Sequence, residues 1–232
     1  MFLARLRTRD RVPELMDDPA LDPVEHRRAL AGLARLNAVS GSAGVLWAPI
    51  RRLARNLGRA VRILDVATGS GDVPRDLLAK ARRAGVGLEV AGCDVSATAV
   101  GQAAANCPAG RFFVCDALRD RLPAEYDVAT CSLFLHHLGE DDAVTLLANL
   151  ARAARHLVLL NDLARSRFNY LSIWAACRLL TRSPVVRFDG PASVRSAFTP
   201  TEALALAVRA GFRGATVSRR FPCRYLLSWE RT

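Results

Sequence analysis

The stretch Val61-Arg62-Ile63-Leu64-Asp65-Val66-Ala67-Thr68-Gly69-Ser70-Gly71-Asp72 constrains the fold more than any other part of this chain. Val61, Ile63, Leu64 and Val66 make a short apolar run suited to a strand covered on both faces, and such strands belong to parallel sheets flanked by helices. Gly69 and Gly71 then allow a sharp turn and close approach of the backbone to a ligand. A helix opening at about Ser70 would aim its free amides at that ligand. Strand, glycine-bearing turn and helix in this order predict a nucleotide-cofactor loop. Asp65 sits at the strand's end and no third glycine completes G-x-G-x-x-G, which separates the loop from the dinucleotide fingerprint of dehydrogenases. An acid there suits a cationic cofactor.

At these residues the chain resembles the class I S-adenosylmethionine-dependent methyltransferases, whose first motif is an acid followed by x-G-x-G-x-G. Here it reads Asp65-Val66-Ala67-Thr68-Gly69-Ser70-Gly71, with Ala67 in place of the first glycine. The later strands fall where a doubly wound sheet requires them. Leu88 to Asp94 ends in an acid a little over twenty residues past the loop, the spacing at which a carboxylate meets ribose hydroxyls. Arg111 to Cys115 ends at Asp116-Ala117, where the resemblance implies an acid against the adenine amino group. Tyr126 to Ser132 and Leu157 to Asn161 follow, the latter ending at Asp162. Thr199-Pro200-Thr201-Glu202 has the form of a capping box with proline at the first helical position, and the helix it opens stops at Gly211. Ala215 to Phe221 and Arg224 to Trp229 close the pattern as a hairpin. The resemblance spans Val61 to Trp229 and implies an α/β fold: a seven-stranded, mostly parallel, doubly wound sheet in the order 3-2-1-4-5-7-6 with the last strand antiparallel. It further implies S-adenosylmethionine as cofactor, with S-adenosylhomocysteine as product. The implied cofactor contacts are Asp65, Ala67, Thr68, Gly69 and Gly71 in the loop, Asp94 and Val95, Asp116 and Ala117, and Ser132.

Two segments lie outside the shared core and are expected to set substrate choice, since ligands in open α/β sheets sit beyond the strands' C-terminal edge. Residues 1–57 form an N-terminal helical cap segment, with helical patterns from Pro23 to Val39 and Ala43 to Leu57. Residues 58–232 form the methyltransferase domain, with a lid insertion over 165–198. That insertion interleaves Phe168, Tyr170, Trp174, Phe188 and Phe198 with arginines, and Phe168, Tyr170, Trp174 and Arg165 are the candidate walls of a pocket for a hydrophobic or aromatic molecule. An amphipathic helix from Asn169 to Leu180, packed on the sheet edge with its arginines in water, accounts for the same residues. A basic, aromatic face resting on an anionic membrane is a third reading.

Leu133-Phe134-Leu135-His136-His137-Leu138 resembles the segment that lies beside the cofactor's methyl group in small-molecule methyltransferases. Methyl transfer to a hydroxyl needs in-line alignment and removal of a proton, for which histidine is suited at neutral pH. His137 is the first candidate base and His136 the second. No metal is expected, because Asn161 and Asp162 are adjacent at one strand end but Ser132 ends the neighbouring strand where a further acid would be needed.

Composition excludes several classes. At 232 residues and 51% hydrophobic, the chain can bury one full core, and no apolar run reaches the length of a membrane span. Arg5, Arg7, Arg9 and Arg11 interrupt any signal-peptide pattern, and the six cysteines have neither metal spacing nor the look of a disulfide framework, so a cytoplasmic enzyme is expected. The net charge of +11 invites a nucleic-acid reading, but the arginines are spread along the chain and Ser132-Leu133-Phe134-Leu135 lacks the Asn/Asp-Pro-Pro-Tyr signature of base methyltransferases. The leading expectation is O-methylation of a small hydrophobic, phenolic or polyketide-like metabolite. C-methylation of a quinol-type ring and a catalytically inactive cofactor-binding assembly subunit stand beside it.

Overall fold

The computed structural model describes residues 6–17, 20–22, 24–25, 28–29 and 41–231. From residue 41 onward its α-helices are α1 (Ser42–Leu57), α2 (Asp72–Ala84), α3 (Ala97–Asn106), α4 (Glu140–Ala153), α5 (Arg167–Leu180), α6 (Pro184–Ser196) and α7 (Pro200–Arg209). Its strands are β1 (Val61–Val66), β2 (Leu88–Asp94), β3 (Arg111–Val114), β4 (Tyr126–Ser132), β5 (Ala154–Leu163), β6 (Thr216–Arg220) and β7 (Arg224–Glu230). They form one sheet in the order β3-β2-β1-β4-β5-β7-β6. β1 to β5 pair parallel, and β7 runs antiparallel to both β5 and β6, as the sequence leads one to expect.

Alternation along β1 explains how the sheet is covered on both faces. Val61 and Ile63 pack with Leu46, Ile50 and Ala54 of α1 and Leu77 of α2. Leu64 and Val66 face the other way, into Leu146, Leu147 and Leu150 of α4 and Leu206 of α7. Full burial of a side chain such as Ile50 contributes roughly 1.5–3 kcal/mol, so α1 is held to the sheet by its apolar stripe rather than by propensity. The expected helix from Ala43 to Leu57 is therefore an underlay of the sheet. Most of the helical pattern from Pro23 to Val39 lies outside the described residues.

Other boundaries move for local reasons. α2 opens at Asp72 rather than near Ser70, because Gly71 takes the left-handed N-cap position at φ 76°. Thr199 and Glu202 form the expected capping box, each side chain bonded to the other's backbone amide. α5 starts at Arg167 because the Ser166 hydroxyl accepts from the Asn169 amide. α6, with Pro191 inside it, is a helix that composition conceals. All six cysteines are free; Cys93, Cys107, Cys115, Cys131 and Cys177 are buried, and burial pushes the Cys93 and Cys131 thiols up, so they act as small core hydrophobes. No helix among the described residues is long and apolar enough to cross a membrane.

Candidate active site

The sheet reverses winding direction between β1, which pairs β2 on one side, and β4 on the other. A cavity of about 920 Å³ lies there, lined by Gly69, Asp94, Asp116, His136 and His137 among others. The loop after β1 shapes its near edge. Ala67, which stands where the motif has its first glycine, is left-handed at φ 55°, a conformation that costs an L-residue roughly 1–2 kcal/mol. Gly69, also left-handed, has open space where a Cβ would stand, which leaves the turn a bare cradle. A Cβ on Gly71 would meet Ala103 at 3.0 Å, so that glycine serves close packing of α2 on α3.

Asp65 is placed by the structure inside this loop rather than on the cavity. Its carboxylate is buried and accepts from the hydroxyls of Thr68 at 2.9 Å and Thr130 at 2.6 Å. Burial pushes it up to about 6, with the two hydroxyls pulling the other way. Thr68 is likewise buried, and its amide donates to the Cys93 carbonyl. Asp94 does face the cavity: one oxygen accepts from the Gly69 amide at 2.9 Å and the other from the Ser96 amide at 3.0 Å. Two backbone donors thus fix the carboxylate and leave its remaining lone pairs for a ligand. Val95, Asp116 and Ala117 continue the same wall. Asp116 accepts from the Leu118 amide at 2.9 Å, and the Ala117 carbonyl is held by the Asn149 amide nitrogen at 2.6 Å. Ser132 sits opposite Asn161 in the β4–β5 register, and the Ser132 hydroxyl and both polar atoms of the Asn161 side chain are buried without a partner. Such atoms cost about 1–3 kcal/mol each when nothing bonds them, but neither residue lines the cavity, so Ser132 is not brought to it with the other expected cofactor contacts.

The far side of the cavity carries the histidines, on a 3-10 turn Leu135–His137. His136 is buried; its Nδ1 lies 2.7 Å from Asp162 Oδ1, and its backbone amide donates to Asp162 Oδ2 at 3.0 Å. Its Nε2 is 3.6 Å from the Glu14 carboxylate, which also accepts from the Ser193 hydroxyl. Burial alone would push His136 down, but Asp162 and Glu14 outweigh it and raise it to about 10. Burial would raise both acids, and the imidazolium holds them below their ordinary range instead. His136 is therefore a fixed cation at neutral pH. His137, half-buried on the same cavity, stacks on Phe134 with ring centroids 6.0 Å apart. Glu14, His136 and His137 each offer a ligand atom within 4.8 Å of the others, a set that could hold a metal ion.

Glu14 reaches this site on an N-terminal strap. Arg9 stacks over Phe198 at 3.7 Å and donates to the carbonyls of Ser196, His136 and Leu138. Arg11 donates to the His137 carbonyl, and the amides of Leu15 and Met16 donate to Asp189. Nothing local in the sequence marks Glu14, which lies 122 residues from His136 and becomes visible only when the strap is in place.

The insertion does wall the cavity, but not with the side chains the sequence suggests. α5 turns Ile173, Ala176, Cys177 and Leu180 inward, one helical face at intervals of three and four. The aromatic residues lie on other faces of the same helix. Phe168 is 72% exposed, and Tyr170 and Trp174 line a separate outer groove with Arg178 and Phe188. Arg165 is buried in a two-pronged ion pair with Glu202 and donates to the Ala197 carbonyl, which ties the lid to α7. None of the four lines the cavity.

The sheet order is that of the Rossmann-like fold of class I S-adenosylmethionine-dependent methyltransferases. Residues 63–156 match the methyltransferase domain family. No curated protein matches the chain. Among solved structures, the S-adenosylmethionine-dependent methyltransferase SibL in its apo form shares 18% identity at a TM-score of 0.66, covering 97% of this chain and 64% of that one. Magnesium protoporphyrin IX methyltransferase from Synechocystis PCC 6803, with bound SAH, shares 18% identity at a TM-score of 0.56, covering 93% and 90%. An O-methyltransferase family 2 protein from Planctomyces limnophilus DSM 3776, in complex with apigenin, shares 16% at 0.63, covering 93% and 63%. The chain thus spans under two thirds of the first and third of these.

Proposed function

We propose that the chain is an S-adenosylmethionine-dependent O-methyltransferase acting on a small, hydrophobic, aromatic hydroxyl compound. The observation that carries this reading is one cavity with the Gly69–Asp94–Asp116 wall on one side and the His136–His137 pair on the other. The cofactor fits the near wall: a bare cradle at Gly69 and a fixed acid at Asp94 for paired hydroxyls. When bound, it supplies a sulfonium methyl that needs only an in-line nucleophile. Asp65 and Thr68 hold the loop in shape from below. His136, pinned between Asp162 and Glu14, holds the turn that carries its neighbour, and His137 takes the proton from the acceptor hydroxyl. The apolar inner face of α5 and the strap residue Met16 enclose the acceptor's body, with the N-terminal segment and the lid setting its size. The complex with apigenin seen in the Planctomyces limnophilus protein supports an aromatic acceptor. Six free cysteines, five of them buried, support a reducing, cytoplasmic setting.

Titration calorimetry with S-adenosylhomocysteine tests the near wall, and single-turnover rates test the far one. Asp94→Ala should weaken binding at least about tenfold, since hydrogen bonds to a charged group are worth roughly 1.5–3 kcal/mol. His137→Gln should lower turnover by roughly 10²-fold or more while leaving that binding nearly unchanged. Wild-type protein that binds no cofactor would leave an assembly subunit as the better reading. Product NMR distinguishes a methoxy carbon from a ring methyl and so decides between O- and C-methylation.

A further inference from the structure

The C-terminal end of α5 and the β6–β7 turn both contribute to the cavity's lining. Leu180 and Phe221 line it yet are 39% and 91% exposed, and Leu179 beside them is 84% exposed. Large apolar tips this open, at the mouth of an apolar cavity, are unusual on a protein meant to face only water. Arg182, Arg219 and Arg220, all exposed, flank them on the same two segments. The arginines look evenly spread along the chain, but the charge balance does not. Residues 163–229 carry eleven arginines against two acids, Asp189 and Glu202, and so hold nine of the eleven net positive charges. Both acids are engaged elsewhere, Asp189 with the strap amides and Glu202 with Arg165 and Thr199. Nothing acidic on these two segments offsets the mouth's charge.

We propose that this mouth docks on an anionic lipid bilayer, and that the acceptor is an amphiphile whose apolar tail passes from the bilayer into the cavity. A bilayer surface accepts both features at once: Leu179, Leu180 and Phe221 enter the boundary between headgroups and acyl chains, and the guanidinium groups meet lipid phosphates. Other occupants fit less well. A second copy meeting this face about a two-fold axis would set arginine against arginine. A nucleic acid would use the arginines but leave the two leucines without a partner. The nature of the acceptor rests on the methyltransferase reading above; the docking does not.

Vesicle flotation tests it on the full chain. Wild-type protein should float with phosphatidylglycerol-containing vesicles at low salt, less at high salt, and stay behind with pure phosphatidylcholine. Since each basic residue at an anionic surface strengthens partition about fivefold, Arg219→Ser with Arg220→Ser should weaken it at least about tenfold. Phe221→Asp with Leu179→Asp should do the same. An unchanged melting transition by circular dichroism shows that each variant is folded. Wild-type protein that binds S-adenosylhomocysteine but does not float overturns the docking alone, as would variants that float like the wild type. A light-scattering dimer split by Phe221→Asp, or retention of RNA without flotation, would assign the face to another occupant and overturn it too. Flotation by a protein that binds no S-adenosylhomocysteine would leave the docking standing and remove the methyltransferase reading.

Discussion

His136 shows how strongly one residue's chemistry depends on its neighbours. In the sequence it is one of two adjacent, equivalent imidazoles; in the structure it is a buried cation between Asp162 and Glu14, while its neighbour stands half-buried on the cavity. The linkage has a definite sign. His136 is raised from the ordinary 6.5 to about 10 on folding, so its contribution to stability is complete below about 6.5 and is lost as pH rises through about 10. The difference in melting temperature between wild type and His136→Gln should therefore be constant in mildly acidic solution and shrink steadily above neutrality. A difference that grows with pH would show that His136 is held neutral. Asp65 illustrates the other side of residue-scale reading: the acid announced by the motif turns out to brace the loop through Thr68 and Thr130.

At the scale of elements, α5 decides the shape of the acceptor site. Its composition draws attention to Phe168, Tyr170 and Trp174, but its helical phase turns Ile173, Ala176, Cys177 and Leu180 inward. Period and composition are visible in a sequence, whereas phase is set by what the helix packs against: Cys177 joins Val185 and Val186 of α6, and Tyr170 joins Leu6 of the strap and Val194 of α6. Ala176→Trp should therefore fill the cavity and lower turnover at least about tenfold, with S-adenosylhomocysteine affinity held within about twofold, because overpacking a formed pocket costs roughly 1–3 kcal/mol. Phe168→Ala, on the outer face, should change neither quantity. Steady-state kinetics with the acceptor identified by screening checks both, and the reverse pattern would restore the aromatic wall read from the sequence.

The whole molecule brings together groups from four distant parts of the chain, the strap, the β1 loop, the β4 and β5 ends and the lid, around one opening in the sheet. Glu14, His136 and His137 also form a set of metal-ligand type, yet His136 already has carboxylate partners that satisfy its charge without an ion. Treatment with EDTA should accordingly leave turnover unchanged; loss of activity restored by a divalent ion would turn the three side chains into a metal centre. The sequence by itself determined the sheet and the cofactor edge. Alternation along strands, the left-handed turn at Gly69 and Gly71 and acids at successive strand ends are local signals, each set by residues a few positions apart. Only the tertiary structure decided the acceptor side: that Glu14 closes on His136 from across the chain, that α5 faces the cavity with its aliphatic residues, and that the arginine-rimmed tips at Leu179 and Phe221 share one mouth. Those relations depend on packing between segments far apart in the chain or on the phase of a helix, and neither leaves a periodic or motif-length trace in the sequence.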